Sequence, residues 1–163
     1  MSSVAYRRGT VRDRAALQAL LSALSPESAY ARFQTALGGG PPPAVVDALL
    51  PEGPRGEALL AWDDGDLVAH GLWVRWGPPR VAEIALVVTD GYQRRGIGTQ
   101  LADRLVAAAA ARGVERIEVV SGSGNRAVAR MVARRAPAAG RDRDGLTVSY
   151  SVDLPARRWS RAA

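Results

Sequence analysis

One stretch of the chain, residues 80–112, constrains the fold more than any other. Residues 81–88 are apolar on both faces apart from Glu83, and this pattern predicts a strand buried in the middle of a sheet. From Ile97 onward apolar residues recur at helical spacing, and a run of alanines extends the predicted helix. Residues 115–120 predict a further strand, so the unit is strand, helix, strand, which joins two parallel strands.

The turn between the first strand and the helix has the sequence QRRGIG and runs from Gln93 to Gly98. Its glycines let the chain bend tightly, and the first turn of the helix leaves its N–H groups unpaired. Several N–H donors therefore converge on one spot, where two arginines and the positive end of the helix dipole add to the attraction for anions. A diphosphate is the ligand that this arrangement favours.

Residues 93–98 resemble the Q/R-x-x-G-x-G/A signature of the GNAT superfamily, the acetyl-CoA-dependent N-acetyltransferases, with the expected strand before it and the long helix after it. Two other phosphate-binding motifs do not fit. A Rossmann dinucleotide site requires a third glycine where Leu101 stands, and a P-loop requires Gly-Lys-Ser/Thr, whereas this chain contains no lysine. The specific motifs lie within residues 80–135, while the order of the predicted elements extends the resemblance over nearly the whole chain.

The resemblance implies acetyl-CoA as the acetyl donor and no metal. A backbone N–H near Leu86 or Val88 would hold the acetyl oxygen where the two parallel strands splay apart. Asn125 occupies the place of an asparagine that bonds the cofactor in GNAT proteins, and an asparagine there is also an ordinary helix cap. The implied cofactor-binding residues are Leu86, Val87, Val88, Gln93, Arg94, Arg95, Gly96, Ile97, Gly98, Thr99 and Asn125.

Glu83 is the candidate catalytic residue. A carboxylate inside an otherwise apolar strand is costly to desolvate unless it faces a wet cleft or a partner. One interpretation is a structural ion pair with an arginine. We favour a general base, because the strand sequence AEIALVV resembles the strand of protein-lysine acetyltransferase domains in which this glutamate has that role. Such a base is required because an alkylammonium, with a pKa of about 10.4, cannot attack a thioester until it loses a proton.

Val132 stands where many GNAT members have a tyrosine that protonates the departing CoA thiolate. The thiolate would then take its proton from water, from the acceptor, or from another tyrosine such as Tyr150. The valine in place of this tyrosine also supports an alternative function, a non-catalytic CoA-binding sensor or partner module.

Composition limits the other classes. The chain has 163 residues, of which 47% are hydrophobic, and we expect a single GNAT domain over residues 1–163 with a loosely ordered tail from about residue 156. It has no cysteine and one histidine, His70, which disfavours disulfides and a histidine-rich metal site. No apolar stretch approaches the ~20 residues that span a bilayer, so we expect no membrane association and a cytoplasmic location.

The net charge of +6 raises nucleic acid as a partner. All 22 basic residues are arginines scattered along the chain, and no nucleic-acid-binding motif accompanies them. Nucleic acid is therefore disfavoured, and a basic nucleic-acid binder is the third hypothesis.

The predicted fold class is α+β: a mixed, mostly antiparallel twisted sheet of about six or seven strands flanked by helices, with a splayed parallel pair at the acetyl-CoA site. Residues 4–10, 57–62 and 67–76 predict an antiparallel meander that leads into the central strand. Residues 141–145 predict a turn, and residues 146–154 predict the last strand.

Two helices are predicted after the first strand, one capped by Asp13 and one by Ser25 with Pro26 in the first position. The segment that includes Tyr30 and Phe33 resembles the corresponding part of bacterial protein-lysine acetyltransferase domains, where a helical pair borders the acceptor cleft. These two aromatic residues either line that cleft or pack on the sheet. His70 is either a base or a core residue satisfied by a neighbour.

The sequence thus predicts transfer of acetyl from acetyl-CoA to an amine. The acceptor stays open between a protein lysine and a small amine such as an amino acid or an aminoglycoside, and a homodimer is also left open.

Overall fold

The computed structural model describes residues 3–35, 39–78 and 80–155, so the predicted tail from about residue 156 lies outside the described residues. Within these ranges seven strands form one sheet. They are β1 Ala5–Arg8, β2 Gly56–Asp63, β3 Asp66–Arg75, β4 Val81–Val88, β5 Arg116–Gly122, β6 Gly140–Asp144 and β7 Thr147–Asp153.

The strands lie in the order β1-β2-β3-β4-β5-β7-β6. Neighbouring strands are antiparallel except for β4 and β5, which are parallel. This arrangement confirms the mixed, mostly antiparallel sheet that the sequence predicts.

The parallel pair is short and then opens. Its register runs only from Val81↔Arg116 to Glu83↔Glu118, although β4 continues to Val88 and β5 to Gly122. The two strands therefore diverge beyond Glu83, and the backbone groups of β4 that point into the resulting gap have no partner on β5.

Five helices are described: α1 Arg14–Ser22, α2 Pro26–Phe33, α3 Pro43–Ala48, α4 Ile97–Ala111 and α5 Arg126–Arg135. α4 connects the two parallel strands and buries Ile97, Leu101, Leu105 and Ala109 against one face of the sheet. α1 and α3 contribute to a second cluster on the other face, which also contains Ala58 and Val87. Because side chains alternate along β4, Val87 and Glu83 lie on the face covered by α1, α2 and α3.

The helix starts follow their capping residues. Ser25 Oγ accepts a hydrogen bond from Ser28 N at 3.1 Å and Pro26 begins α2, as predicted. Asp13 stands at the predicted N-cap position of α1, but the prediction that its side chain caps the helix is wrong. Its side chain makes no cap bond to α1 but accepts from Thr10 N at 2.9 Å and pairs with Arg7 at 2.7 Å.

The segment predicted as a turn at residues 141–145 is mostly a strand. β6 pairs with β7 at the edge of the sheet, and all five of its residues are exposed. Charged side chains are common on exposed edge strands because they discourage further pairing. Residues 140–144 include no apolar side chain, so the sequence gives no strand signal there. Of the predicted turn, only Gly145, with φ of +59°, lies in the tight turn between β6 and β7.

Candidate active site

The open edge of β4 carries backbone donors that face the gap. Thr89 N donates to Val68 O on β3 at 2.9 Å. Because successive residues of a strand direct their N–H and C=O groups to opposite neighbours, Val88 and Leu86 direct theirs away from β3 and toward the gap. Val87, whose side chain is buried, pairs with His70 on β3.

The turn after β4 has the geometry expected of an anion site. Gly96 is the N-cap of α4 and has φ of +81°, a left-handed conformation that favours glycine. No other heavy atom lies within 4 Å of the position that a Cβ on Gly96 would occupy. At Gly98 a Cβ would lie 3.6 Å from Val88 Cγ2 and 3.8 Å from Met131 Cε, so α5 borders this site on its far side.

The other predicted cofactor residues of the turn divide between surface and core. Arg94 and Arg95 are exposed, and the Arg95 guanidinium lies 4.8 Å from the centroid of the Tyr92 ring. Thr99 is half-buried, whereas Ile97 is buried in the core beneath α4. Both arginines thus lie at the surface of the turn, with Arg95 over the Tyr92 ring, while Ile97 anchors the helix in the core.

A hydrogen-bond network that the sequence did not reveal fastens this turn to α2. Asp90 accepts from Ser25 N at 3.0 Å, from Ser25 Oγ at 2.6 Å and from Ser28 Oγ at 2.7 Å. Gln93 Nε2 donates to Ser28 Oγ at 3.1 Å and to Val88 O at 3.0 Å. The bond from the Ser25 hydroxyl is the largest cause that holds the pKa of Asp90 below its usual range.

Asn125 is the N-cap of α5, because its Oδ1 accepts from Val128 N at 3.2 Å. The cap interpretation is confirmed, and the cofactor contact stays a prediction. Val132 is half-buried on α5. Tyr150 is buried on β7, where it pairs with Val119 of β5.

Glu83 is half-buried at the point where the sheet opens. Its register partners are Val74 on β3 and a second carboxylate, Glu118, on β5. Among the described residues, no hydrogen bond or ion pair involves Glu83, so the structural ion pair is not formed. Burial lowers the pKa of the Arg32 guanidinium to about 10, and the charge of the nearby Glu83 carboxylate opposes part of that lowering.

His70 is a core residue. Its side chain is fully buried and its Nε2 lies 2.7 Å from the carbonyl oxygen of Leu49, so Nε2 carries the hydrogen and donates it. Burial is the main cause that lowers the pKa of His70 to about 4, so the ring is neutral at pH 7. Its Nδ1 is therefore an acceptor, and it is buried without a partner.

Arg32 is a residue close to Glu83 that sequence reasoning did not single out. It lies three residues after the buried Ala29 on α2 and so faces the sheet. Its guanidinium lies 4.8 Å from the centroid of the Phe33 ring, and its Nε is enclosed without a hydrogen-bond partner. The signal was present in the sequence, because an arginine on the inner face of an amphipathic helix is as unusual as a glutamate within an apolar strand.

A cavity of about 250 Å³ adjoins the outer end of α2. It is lined by Tyr30, Gln34, Gly122, Ser123, Gly124, Leu146 and Thr147. Tyr30 and Leu146 are 54% and 76% exposed, so Tyr30 does not pack on the sheet, whereas Phe33 packs against the cluster beneath α1.

Two kinds of site are not found in the part of the chain that the structure describes. No three His, Cys, Asp or Glu side chains in these residues are grouped so as to hold a metal ion. No described helix has the length and apolar character needed to cross a membrane.

Comparison with known proteins gives a family match. The model of the acetyltransferase (GNAT) family matches residues 27–136, which include β4, the turn, α4 and β5. No curated protein matches the sequence.

Solved structures share the fold. The GNAT domain of Streptomyces lividans PAT is 22% identical, with 94% of this chain and 97% of that chain covered and a TM-score of 0.83. A GNAT-family acetyltransferase from Streptococcus pneumoniae is 16% identical, with 93% and 100% covered and a TM-score of 0.73. Salmonella typhimurium yncA, solved with its cofactor acetyl-CoA, is 15% identical, with 98% and 99% covered and a TM-score of 0.73.

Proposed function

The chain belongs to the acetyltransferase (GNAT) family, and from that premise we propose that it transfers the acetyl group of acetyl-CoA to an amine with Glu83 as the general base. The acetyl-CoA bound by the similar Salmonella protein supports the same donor here. The pyrophosphate would lie at the start of α4 and the thioester in the gap between β4 and β5, within one domain formed by residues 1–163. A cytoplasmic location stays a prediction from the sequence.

The observation that carries the proposal is the unpaired Glu83 carboxylate. It is half-buried beside the opening of the sheet and has no hydrogen bond or ion pair among the described residues. A carboxylate kept in this state is available to accept a proton, directly or through one water. A structural glutamate at the same position would have a counter-ion within contact distance.

The chemistry uses the gap-facing backbone of β4. The amine nitrogen attacks the thioester carbonyl, and the N–H of Leu86 or Val88 stabilises the oxygen of the tetrahedral intermediate. Before this attack Glu83 takes a proton from the acceptor ammonium, which frees the amine. When the tetrahedral intermediate collapses, the C–S bond breaks, the CoA thiolate leaves, and nitrogen loses its second proton to solvent. Val132 has no acidic proton, and in this proposal the thiolate takes up its proton from solvent.

The test compares Glu83→Gln with Glu118→Gln. The two residues are register partners and carboxylates on one face, so the second variant is a matched control. CoA release can be followed with a thiol reagent without background, because the protein contains no cysteine. Loss of a general base reduces the rate by roughly 10²–10⁴-fold, and we expect that loss in kcat for Glu83→Gln alone, with CoA affinity retained.

The pH dependence adds a second measurement. The Glu83→Gln variant should recover part of its deficit at high pH, where the acceptor amine is free without a base. Normal turnover by stable Glu83→Gln protein would refute the base assignment, and a loss confined to Glu118→Gln would transfer it to Glu118. CoA binding with no turnover on any amine would instead favour the sensor module.

A further inference from the structure

Arg32 is a half-buried cation that forms no ion pair among the described residues. No hydrogen bond or ion pair among the described residues uses its guanidinium, and its Nε is enclosed. A buried charge is costly to desolvate unless it is paired and hydrogen-bonded. The folded protein therefore holds a guanidinium that an incoming anion would stabilise.

The surroundings of Arg32 fix its position without neutralising it. The Phe33 ring lies 4.8 Å from the guanidinium carbon. His70 Nδ1 is a buried acceptor without a partner, and Arg32 Nε is a buried donor without a partner. After burial, the Arg32 charge is a further cause that lowers the pKa of His70.

Arg32 and Glu83 present opposite charges on the same side of the molecule. α2 contacts β4 and β5, and Arg32 is on the inward face of that helix. The carboxylate of Glu83 suits an ammonium group, and the guanidinium suits a carboxylate, which it can bind through two parallel N–H bonds. A ligand that carries both groups would satisfy both residues together.

We propose that Arg32 forms an anion subsite in the acceptor cleft, and that the acceptor is a small amine bearing a carboxylate, an amino acid, rather than a lysine side chain within a protein. The inference rests on the proposed function, because it places the acceptor amine at Glu83. A lysine side chain in a polypeptide carries no carboxylate close to its amine, so it would leave Arg32 unpaired. Arg32 is then a specificity-determining residue that binds substrate and takes no part in proton transfer.

The test uses pairs of acceptors that differ only in the carboxylate, such as phenylalanine with phenethylamine and lysine with cadaverine, together with a lysine-containing peptide blocked at both ends. In the wild type, kcat/KM should be at least about tenfold higher for the carboxylate member, chiefly through KM. Arg32→Gln should remove that preference, because kcat/KM falls much further for the carboxylate member than for the plain amine, and Arg32→Lys should retain part of the preference. Arg12→Gln, a change at an exposed arginine outside the proposed cleft, is the control.

Two results would overturn the proposal. One is equal kcat/KM for both members of each pair, or a preference for the blocked peptide, in the wild type. The other is an equal loss for both members in folded Arg32→Gln protein, which would mean that Arg32 acts on Glu83 instead of on the acceptor. Thermal unfolding identifies a variant that fails to fold, in which case Arg32→Lys decides.

A binding measurement separates this inference from the proposed function. Calorimetry with CoA present would compare N-acetylphenylalanine with N-acetylphenethylamine on the wild type and on Arg32→Gln. Carboxylate-dependent binding that requires Arg32, without any turnover, would support the subsite and refute the transferase. Turnover without such binding would refute the subsite alone.

Discussion

The two ends of α4 offer a matched pair of substitutions that tests the cofactor site. Gly96 and Gly113 have φ of +81° and +84°, and neither has another heavy atom within 4 Å of a would-be Cβ. Gly96 caps the start of the helix, and Gly113 follows its end. Alanine at either position therefore strains the backbone in the same way, but only Gly96→Ala adds a methyl group at the proposed pyrophosphate site.

The expected magnitudes follow from this geometry. A side chain in the left-handed region costs roughly 1–2 kcal/mol, and each kcal/mol lowers Tm by roughly 2–4 °C in a domain of this size. Both variants should lose about 2–8 °C. If the methyl group also displaces one charge-assisted hydrogen bond, worth roughly 1.5–3 kcal/mol, then the Kd for CoA rises by roughly 10- to 150-fold in Gly96→Ala alone.

Thermal unfolding and calorimetric titration with CoA measure the two quantities separately. Similar Tm values with CoA weakened only in Gly96→Ala are the expected result. Equal CoA affinity in the two variants would show that the pyrophosphate does not approach the start of α4, and weakening in Gly113→Ala alone would place the cofactor at the other end of the helix.

Two further predictions concern stability. The folded pKa of Asp90 lies below its unfolded value, so its contribution to stability is present above about pH 4 and is lost as pH falls through the folded value. Asp90→Asn should therefore lower the free energy of unfolding at pH 7 and flatten the decrease of that free energy between about pH 5 and pH 3. Urea titrations measure both effects, with the exposed Asp64→Asn as control. Glu57 is 5% exposed and pairs with Arg8 at 2.9 Å and with Arg112 at 3.1 Å. Glu57→Gln should therefore lower Tm by several degrees while the Kd for CoA stays unchanged. An unaltered Tm would contradict the structural role of these ion pairs.

The strand, turn and helix of the proposed cofactor site were predictable from the sequence because their signals are local. The apolar strand, the QRRGIG turn and the helix that follows are contiguous, and each has a characteristic composition or period. The polarity of Glu83 was visible against its strand for the same reason. The edge strand β6 was missed because its exposed charges give no apolar pattern.

The acceptor half was not predictable because it depends on contacts between distant residues. Asp90 meets Ser25 across 65 positions of the chain, and nothing local to either residue indicates the other. The juxtaposition of Glu83 with Glu118 depends on the register of a parallel pair separated by a whole helix. Arg32 gave a local signal, its place on the inner face of α2, but its lack of a partner is a property of the folded protein.

The distribution of paired and unpaired charges supports the proposed acceptor cleft independently of any family resemblance. Away from the cleft, the buried carboxylates Asp13 and Glu57 each have an arginine within 3 Å. Near the opening of the sheet, Glu83 faces a like charge across the strand pair and Arg32 has no ion pair among the described residues. Like charges placed directly opposite in a sheet are destabilising, and so is an enclosed guanidinium N–H without a partner, such as Arg32 Nε. The chain has 22 arginines, yet none forms an ion pair with Glu83 among the described residues, and in our proposal a zwitterionic ligand supplies the charges that Glu83 and Arg32 lack.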